Sequence, residues 1–318
     1  MVAVALESLA AEAVVLPIGS GDAAAGDAGR LVDAARRRFR VDVLPGSEPP
    51  PLRVSTTIPR SVGLGGSSAL VIAVLRALCD HHGVVLQPAA MAELALSIEV
   101  DDLGIAAGLQ DRVAQCYGGA TFMEFGCSPP RYESLDCTLL PPLVVAWREE
   151  AAGHSGAIHG DLRERYETGD AFVRHSMAEL GELARAARAA LKSGDADMLA
   201  HCADASFAAR SRMMDLDPRH LEMVHIGRAA GAGVNYTGSG GAVVCVCPPR
   251  CDPIEVEQAL RAASCGVLVV WSTQSGVPSP IIASDRSPLP GRPASPAWSP
   301  LTSGSCREGG AWNDPPRP

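Results

Sequence analysis

Residues 58–69, Ile-Pro-Arg-Ser-Val-Gly-Leu-Gly-Gly-Ser-Ser-Ala, join a strand-like run to the almost wholly apolar stretch 70–79 through three glycines and two serines. Such a segment folds as strand, tight loop and helix, because glycine tolerates the backbone of a sharp turn and the apolar run has to be buried. Gly63, Gly65 and Gly66 let backbone N–H groups approach an anion with no Cβ in the way, and the free N–H groups at a helix start add favourable partial charge. Ser67 and Ser68 supply hydroxyls that cap the helix or reach a metal. A glycine-rich turn with a serine cap fits the same residues, and the Lys-Ser or Lys-Thr of a Walker loop is absent. Taken alone, the segment leaves phosphate site and structural turn both open.

The rest of the chain alternates short β-like runs with long helical ones, which predicts a mixed α and β class. Strands are expected at 53–58, 120–125, 143–147 and 242–247, with a last one near 266–272. Phe172, Met177, Leu180, Leu183, Ala187 and Leu191 recur at helical spacing, so an amphipathic helix is predicted between Gly169 and Gly194, and a second over about 197–213. From residue 277 onward ten of the chain's 25 prolines fall in a serine-rich stretch without periodicity, which reads as a disordered tail. Such a tail could offer a polyproline ligand to a protein partner, though plain solvated chain is the simpler expectation.

The function classes narrow on charge. In 318 residues, 27 basic against 36 acidic side chains give a formal charge of −9, which argues against a general nucleic-acid or anionic-membrane binder. Apolar residues at 47% supply a real core, and no apolar run reaches the about 20 residues that span a bilayer. The first 17 residues carry Glu7 and Glu12 and no basic leader, so a secretory signal is not expected and a cytoplasmic protein follows. Ten cysteines at irregular spacing read as reduced thiols.

Two further stretches bear on chemistry. Glu99 lies in Ser97-Ile-Glu99, ahead of a glycine-containing loop and then Asp111-Arg112, with Tyr117-Gly-Gly119 following. The loop could fold both acids toward one point, where one holds Mg²⁺ and the other faces a hydroxyl nucleophile. The alternative gives Glu99 a solvated helix face and makes Asp111 an ordinary cap. The second stretch, Tyr236-Thr-Gly-Ser-Gly-Gly-Ala242, runs straight into a strand and brings backbone close to a neighbour, or is a tight turn.

In this order the three motifs resemble the GHMP kinases. Residues 59–69 match the phosphate-loop pattern P-x-x-x-G-L-G/S-(x)-S-S-A, and Thr237–Gly241 match T-G-x-G-G. Residues 97–119 resemble the corresponding stretch of glucuronokinases, with a one-residue insertion near 100–102, and Leu140-Pro-Pro142 and 207–213 match the same group. The resemblance covers about 31–270. It implies an α+β fold with a ribosomal protein S5 domain 2-like N-terminal lobe and a ferredoxin-like C-terminal lobe. The lobes would span 1–140 and 141–276, with the tail at 277–318. It implies an ATP- and Mg²⁺-dependent kinase that makes glucuronate 1-phosphate from D-glucuronate, a small sugar acid. Gly63, Leu64, Gly65, Gly66, Ser67, Ser68 and Ala69 would cradle the ATP phosphates. Ser68 and Glu99 would hold the metal, Asp111 would face the sugar hydroxyl, and Thr237, Gly238, Ser239, Gly240 and Gly241 would form the active-site loop.

One departure qualifies the match. The family's opening R-x-G-x-x-G-N-x-x-D motif is missing before residue 59, and residues 17–22 do not replace it. A lobe incomplete at its N-terminus, with an unpaired sheet edge, is therefore expected. A truncated, inactive protein that binds nucleotide or a partner is the alternative function. Among lesser candidates, Cys245, Cys247 and Cys251 read as buried thiols rather than a zinc set, and His154 and His159 as solvated or structural residues. Arg36–Arg40 reads as one basic helix face. Arg60 and Arg112 sit beside the motifs, as a carboxylate substrate would want.

Overall fold

The computed structural model describes residues 1–6, 8–17, 26–148, 162, 164–214, 216–238 and 240–272. The tail at 277–318, His154, His159, Ser239 and residues 18–22 lie outside the described residues.

The glycine loop opens onto α2 (Gly66–His82), whose apolar positions Val71, Ile72, Val74, Leu75, Leu78 and Cys79 are buried along a helical stripe. Gly83 ends α2 in the left-handed conformation at φ 66°, a backbone that glycine adopts without steric cost. Around α2 pack α1 (Gly26–Arg38), α3 (Pro88–Ser97) and α4 (Leu109–Tyr117). The shared core holds Leu31, Phe39, Leu75, Leu78, Ile98 and Met123. This layer lies over two antiparallel sheets. β2 (Ala11–Val15) pairs with β3 (Leu52–Thr56), and β4 (Ala120–Glu124) stands between β1 (Val2–Val4) and β5 (Arg131–Leu135). The N-terminal segment, with no strand expected in it, thus forms two strands, with Val2 opposite Phe122 and Ala11 opposite Thr56.

The second half has one four-stranded antiparallel sheet. β6 (Leu143–Trp147) leads through α5 (Ala171–Ser193), α6 (Ala196–Ser211) and α7 (Pro218–Ala229) to β7 (Gly233–Tyr236) and β8 (Ala242–Val246). α8 (Pro253–Ala262) and β9 (Gly266–Val270) complete it, with strand order β7-β8-β6-β9. That order, with helices after the first and third strands, is the ferredoxin-like split βαβ arrangement. Each of α5–α8 starts behind an aspartate, Asp170, Asp195, Asp217 or Asp252, whose carboxylate accepts a backbone N–H of the first turn. The core beneath this sheet holds Val144, Phe207, Met223, Val243 and Leu260. A third cluster joins the halves, packing Phe122, Leu135 and Leu140 against Leu143, Leu191 and Leu199. The fold is α+β throughout.

Helix α3 stops at Ser97. Glu99, expected on a regular helix, lies in a π-helical turn over Ile98–Asp102, and among the described residues Ile98 and Glu99 are its buried positions. π turns widen the helix by one residue and re-aim side chains. Here the turn sends the Glu99 carboxylate inward, toward α2 and α4.

Candidate active site

Gly65 caps α2 with left-handed backbone, φ 67° and ψ 33°, and no side chain caps this end. Gly65 has no side chain with which to cap the first N–H groups of α2, and N–H groups at a helix start favour an anion. A Cβ on Gly65 would lie 2.7 Å from Gln115 Nε2 and 3.5 Å from Asp111 Cβ, so α4 is pressed against the loop. Gln115 Nε2 donates to the Gly65 carbonyl at 2.9 Å. Asp111 and Gln115 are one helical turn apart and share that face of α4.

The acids gather around Arg112. Its Nε donates to Glu99 Oε2 at 2.8 Å, its Nη2 donates to the same oxygen, and its Nη1 donates to the Gly108 carbonyl at 2.8 Å. Asp111 Oδ2 stands 3.7 Å from Nη1. The Glu99 side chain is 0% exposed and that of Arg112 4%, whereas that of Asp111 is 44% exposed. Two sequence expectations meet this geometry. Arg112, placed beside the motifs as a reader of substrate carboxylate, is instead the buried ion partner of Glu99. Ser68, expected to share a metal with Glu99, is 0% exposed and donates to the Gly65 carbonyl at 2.9 Å. The hydroxyl on Glu99 belongs to Ser67, which donates to Oε1 at 2.7 Å. Adjacent residues of a helix point about 100° apart, so only one of the two serines can face Glu99.

Among the described residues no group of three or more His, Cys, Asp or Glu could hold a metal. Mg²⁺, however, keeps several waters and takes only one or two protein oxygens when phosphates supply the others. Ser67 Oγ and Glu99 Oε1 are a donor pair of that kind, with the other Glu99 oxygen already neutralised by Arg112. The residues fit a metal carried in with a polyphosphate and do not form a closed cage.

The third glycine motif closes on the first. A Cβ on Gly63 would lie 2.6 Å from the Gly240 carbonyl and 2.7 Å from that of Thr237. One on Gly238 would lie 2.6 Å from the Gly63 carbonyl, and one on Gly241 2.7 Å from Val62 Cα. Gly63, Gly238, Gly240 and Gly241 all have positive φ, and at Gly63, Gly238 and Gly241 the close approach excludes a Cβ as well. Arg210 of α6 donates to the Tyr236 carbonyl at 3.0 Å and to the Gly238 carbonyl at 2.5 Å. Its guanidinium lies over the Tyr236 ring, 5.7 Å from the centroid. Arg210 lies in the stretch 207–213 that matches the glucuronokinase group, but nothing in the sequence singles it out within that stretch.

On the approach to the loop, residues 56–61 and Trp147 line an open cleft of about 560 Å³. Exposed Arg60 is one of its walls. The lesser candidates have structural surroundings. Burial pushes the Cys245 thiol up to about 12, and Cys247 and Cys251 are buried as well. In the basic cluster, Arg36 donates to the Pro50 carbonyl and Arg38 pairs with Asp102 at 2.6 Å.

Comparison with known proteins names the class. Residues 28–119 match the family model described as GHMP kinases N terminal domain. Mevalonate kinase of L. major superposes with a TM-score of 0.62 at 17% identity, covering 82% of this chain and 86% of that one. A D-glycero-D-manno-heptose 1-phosphate kinase from Bacteriodes thetaiotaomicron superposes at 0.57 with 20% identity, covering 81% and 82%. The fold is that of the GHMP kinases.

Within that class the sequence is similar to the glucuronokinases. Glucuronokinase 1 of Arabidopsis thaliana is 41% identical over 224 residues, which are 67% of this chain and 61% of that protein. Probable glucuronokinase 2 of the same plant is 40% identical over 209 residues, 62% and 57% respectively. The matched segment thus spans about three fifths of these relatives' length.

Proposed function

We propose that the chain is an ATP-dependent small-molecule kinase that phosphorylates D-glucuronate on its anomeric hydroxyl, giving glucuronate 1-phosphate. The observation that carries the reading is the convergence of three distant motifs on one point. Gly65 touches Asp111 and Gln115, Ser67 binds Glu99, and Gly63 touches Gly238. The similarity to glucuronokinases supports the choice of sugar acid.

In this reading the backbone from Gly63 to Ala69, Leu64 and Gly66 included, holds the ATP phosphates at the uncapped start of α2. The cleft beside residues 56–61 and Trp147 suits the nucleoside end. Bound Mg²⁺ would neutralise phosphate charge at Ser67 and Glu99, with Ser68 bracing the loop from inside. Thr237–Gly241 shape the opposite wall, and Asp111 takes the sugar hydroxyl's proton or fixes its orientation electrostatically. Phosphoryl transfer asks chiefly for positioning and charge neutralisation, and these residues supply both. The lobes would meet near residue 140, with the site between them. Among the described residues no helix is long and apolar enough to cross a membrane, and we place the reaction in the cytoplasm.

The test is ADP release from the purified chain with MgATP and a panel of D-glucuronate, D-galacturonate, D-glucose and mevalonate, with the product read by ³¹P NMR. Release that requires D-glucuronate and yields an anomeric phosphate is expected. Release with another acceptor alone, or none from a folded protein that binds MgADP, would overturn the assignment.

A further inference from the structure

The acid pair beside the proposed phosphate site is only half offset by the cation between its members. Glu99 and Asp111 are two carboxylates, and Arg112, the cation that touches both, is one guanidinium. An anionic nucleotide and a sugar acid would add more of the same sign, and the glycine loop carries no lysine. Arg60 is exposed at the cleft wall, where solvent screens its charge.

Arg210 is placed differently. Burial lowers its pKa, and its hydrogen-bond acceptors are two backbone carbonyls, of Tyr236 and Gly238. Among the described residues it has no carboxylate partner. A partly desolvated guanidinium without a counter-ion is costly to keep, and in a low dielectric its attraction for an anion is strong. Tyr236, over whose ring it lies, is 5% exposed with a hydroxyl that has no hydrogen-bond partner. A lone cation and an orphan donor thus sit together beside the loop that touches Gly63.

We propose that Arg210 is the anion-binding cation of this site. It fastens the Tyr236–Gly240 loop through two carbonyls and turns its remaining N–H groups and charge to an anionic oxygen group of a reactant, phosphate or carboxylate. The inference rests on reading the cleft as a kinase site for an anionic substrate, and its test does not require turnover.

The experiment measures dissociation constants of MgADP and, separately, of D-glucuronate for the full chain by calorimetry, in wild type, Arg210→Met and Arg210→Lys. A charge-assisted contact predicts a loss of about tenfold to a hundredfold in Arg210→Met for at least one ligand, with Arg210→Lys in between because it keeps the charge but not the fork. A loss confined to MgADP identifies phosphate as the partner, and one confined to D-glucuronate identifies the carboxylate. Both constants within twofold of wild type in folded Arg210→Met would overturn the proposal and leave Arg210 a loop support. Should Arg210→Met fail to fold, Arg210→Lys decides: unchanged constants overturn the proposal and weakened ones support it. Arg210-dependent binding without glucuronate turnover would sink the kinase reading and leave this one standing. A folded wild type that binds neither ligand would sink both.

Discussion

Removing Arg112 should strand a carboxylate in the core. Glu99 and Arg112 have side chains 0% and 4% exposed, and Arg112 contributes two bonds to Glu99 Oε2 and one to the Gly108 carbonyl. Arg112→Leu deletes all three while the Glu99 charge stays buried, with only the Ser67 hydroxyl as hydrogen-bond donor among the described residues. Losing one partner of a buried pair costs about 3–5 kcal/mol, a large part of the about 5–15 kcal/mol that keeps a domain folded. Replacing both partners by leucine removes charge and counter-charge together, and such exchanges are neutral or stabilising by up to about 4 kcal/mol. The assay is urea unfolding with linear extrapolation on wild type, Arg112→Leu, Glu99→Leu and the double variant. Large losses in each single variant and recovery in the double are expected. A loss under about 1 kcal/mol in Arg112→Leu, or a double variant no better than that single one, would refute the buried-pair account.

Gly63→Ala places a methyl 2.6 Å from the Gly240 carbonyl at a φ of +73°, so the two loops must part. Stability should fall by about 1–3 kcal/mol in the same urea assay, and MgADP affinity should fall with it. Burial raises Tyr236 from 10 to about 12, so its neutral form contributes stability that is fully present below pH 10 and is lost as pH rises toward 12. Tyr236→Phe should therefore lose less stability than wild type over that alkaline window, and an identical pH dependence of the two would refute the assignment. Leu78→Ala, at a site 0% exposed in the first core cluster, should cost about 2–5 kcal/mol, and a cost below 1 kcal/mol would place that side chain outside the core.

Much of the fold was legible because several elements carry strong local signals. The run 143–147 has no competing reading and is β6, and the periodic stretch after Gly169 is α5 within a residue or two. The glycine motifs were legible because close backbone approach leaves few alternatives to glycine. Helices α7 and α8 were missed although each announces itself with Asp-Pro, an aspartate cap before a proline at the first position. β1 and β2 went unread because their alanines and valines lack alternation and are recognised only against their partners, β4 and β3. In the site, the sequence brought Glu99 and Asp111 to one neighbourhood but gave no means of choosing between Ser67 and Ser68. That choice depends on the rotation of α2 against the π turn. Arg112 was legible as a cation and illegible as a buried one, since burial is set by the packing of α3 on α4. The stretch holding Arg210, 207–213, was legible as a match, but the role of Arg210 was not, because its partners are carbonyls of a loop 26 and 28 residues away.

The central claim is that Asp111, the exposed acid beside Gly65, faces the reacting hydroxyl of a sugar acid. The most direct measurement is D-glucuronate-dependent ADP release with MgATP by wild type and Asp111→Asn, both checked for MgADP binding. Wild-type release that falls by about a hundredfold to ten-thousandfold in the variant, with MgADP affinity kept, is the predicted result. Equal turnover by the two proteins would contradict it.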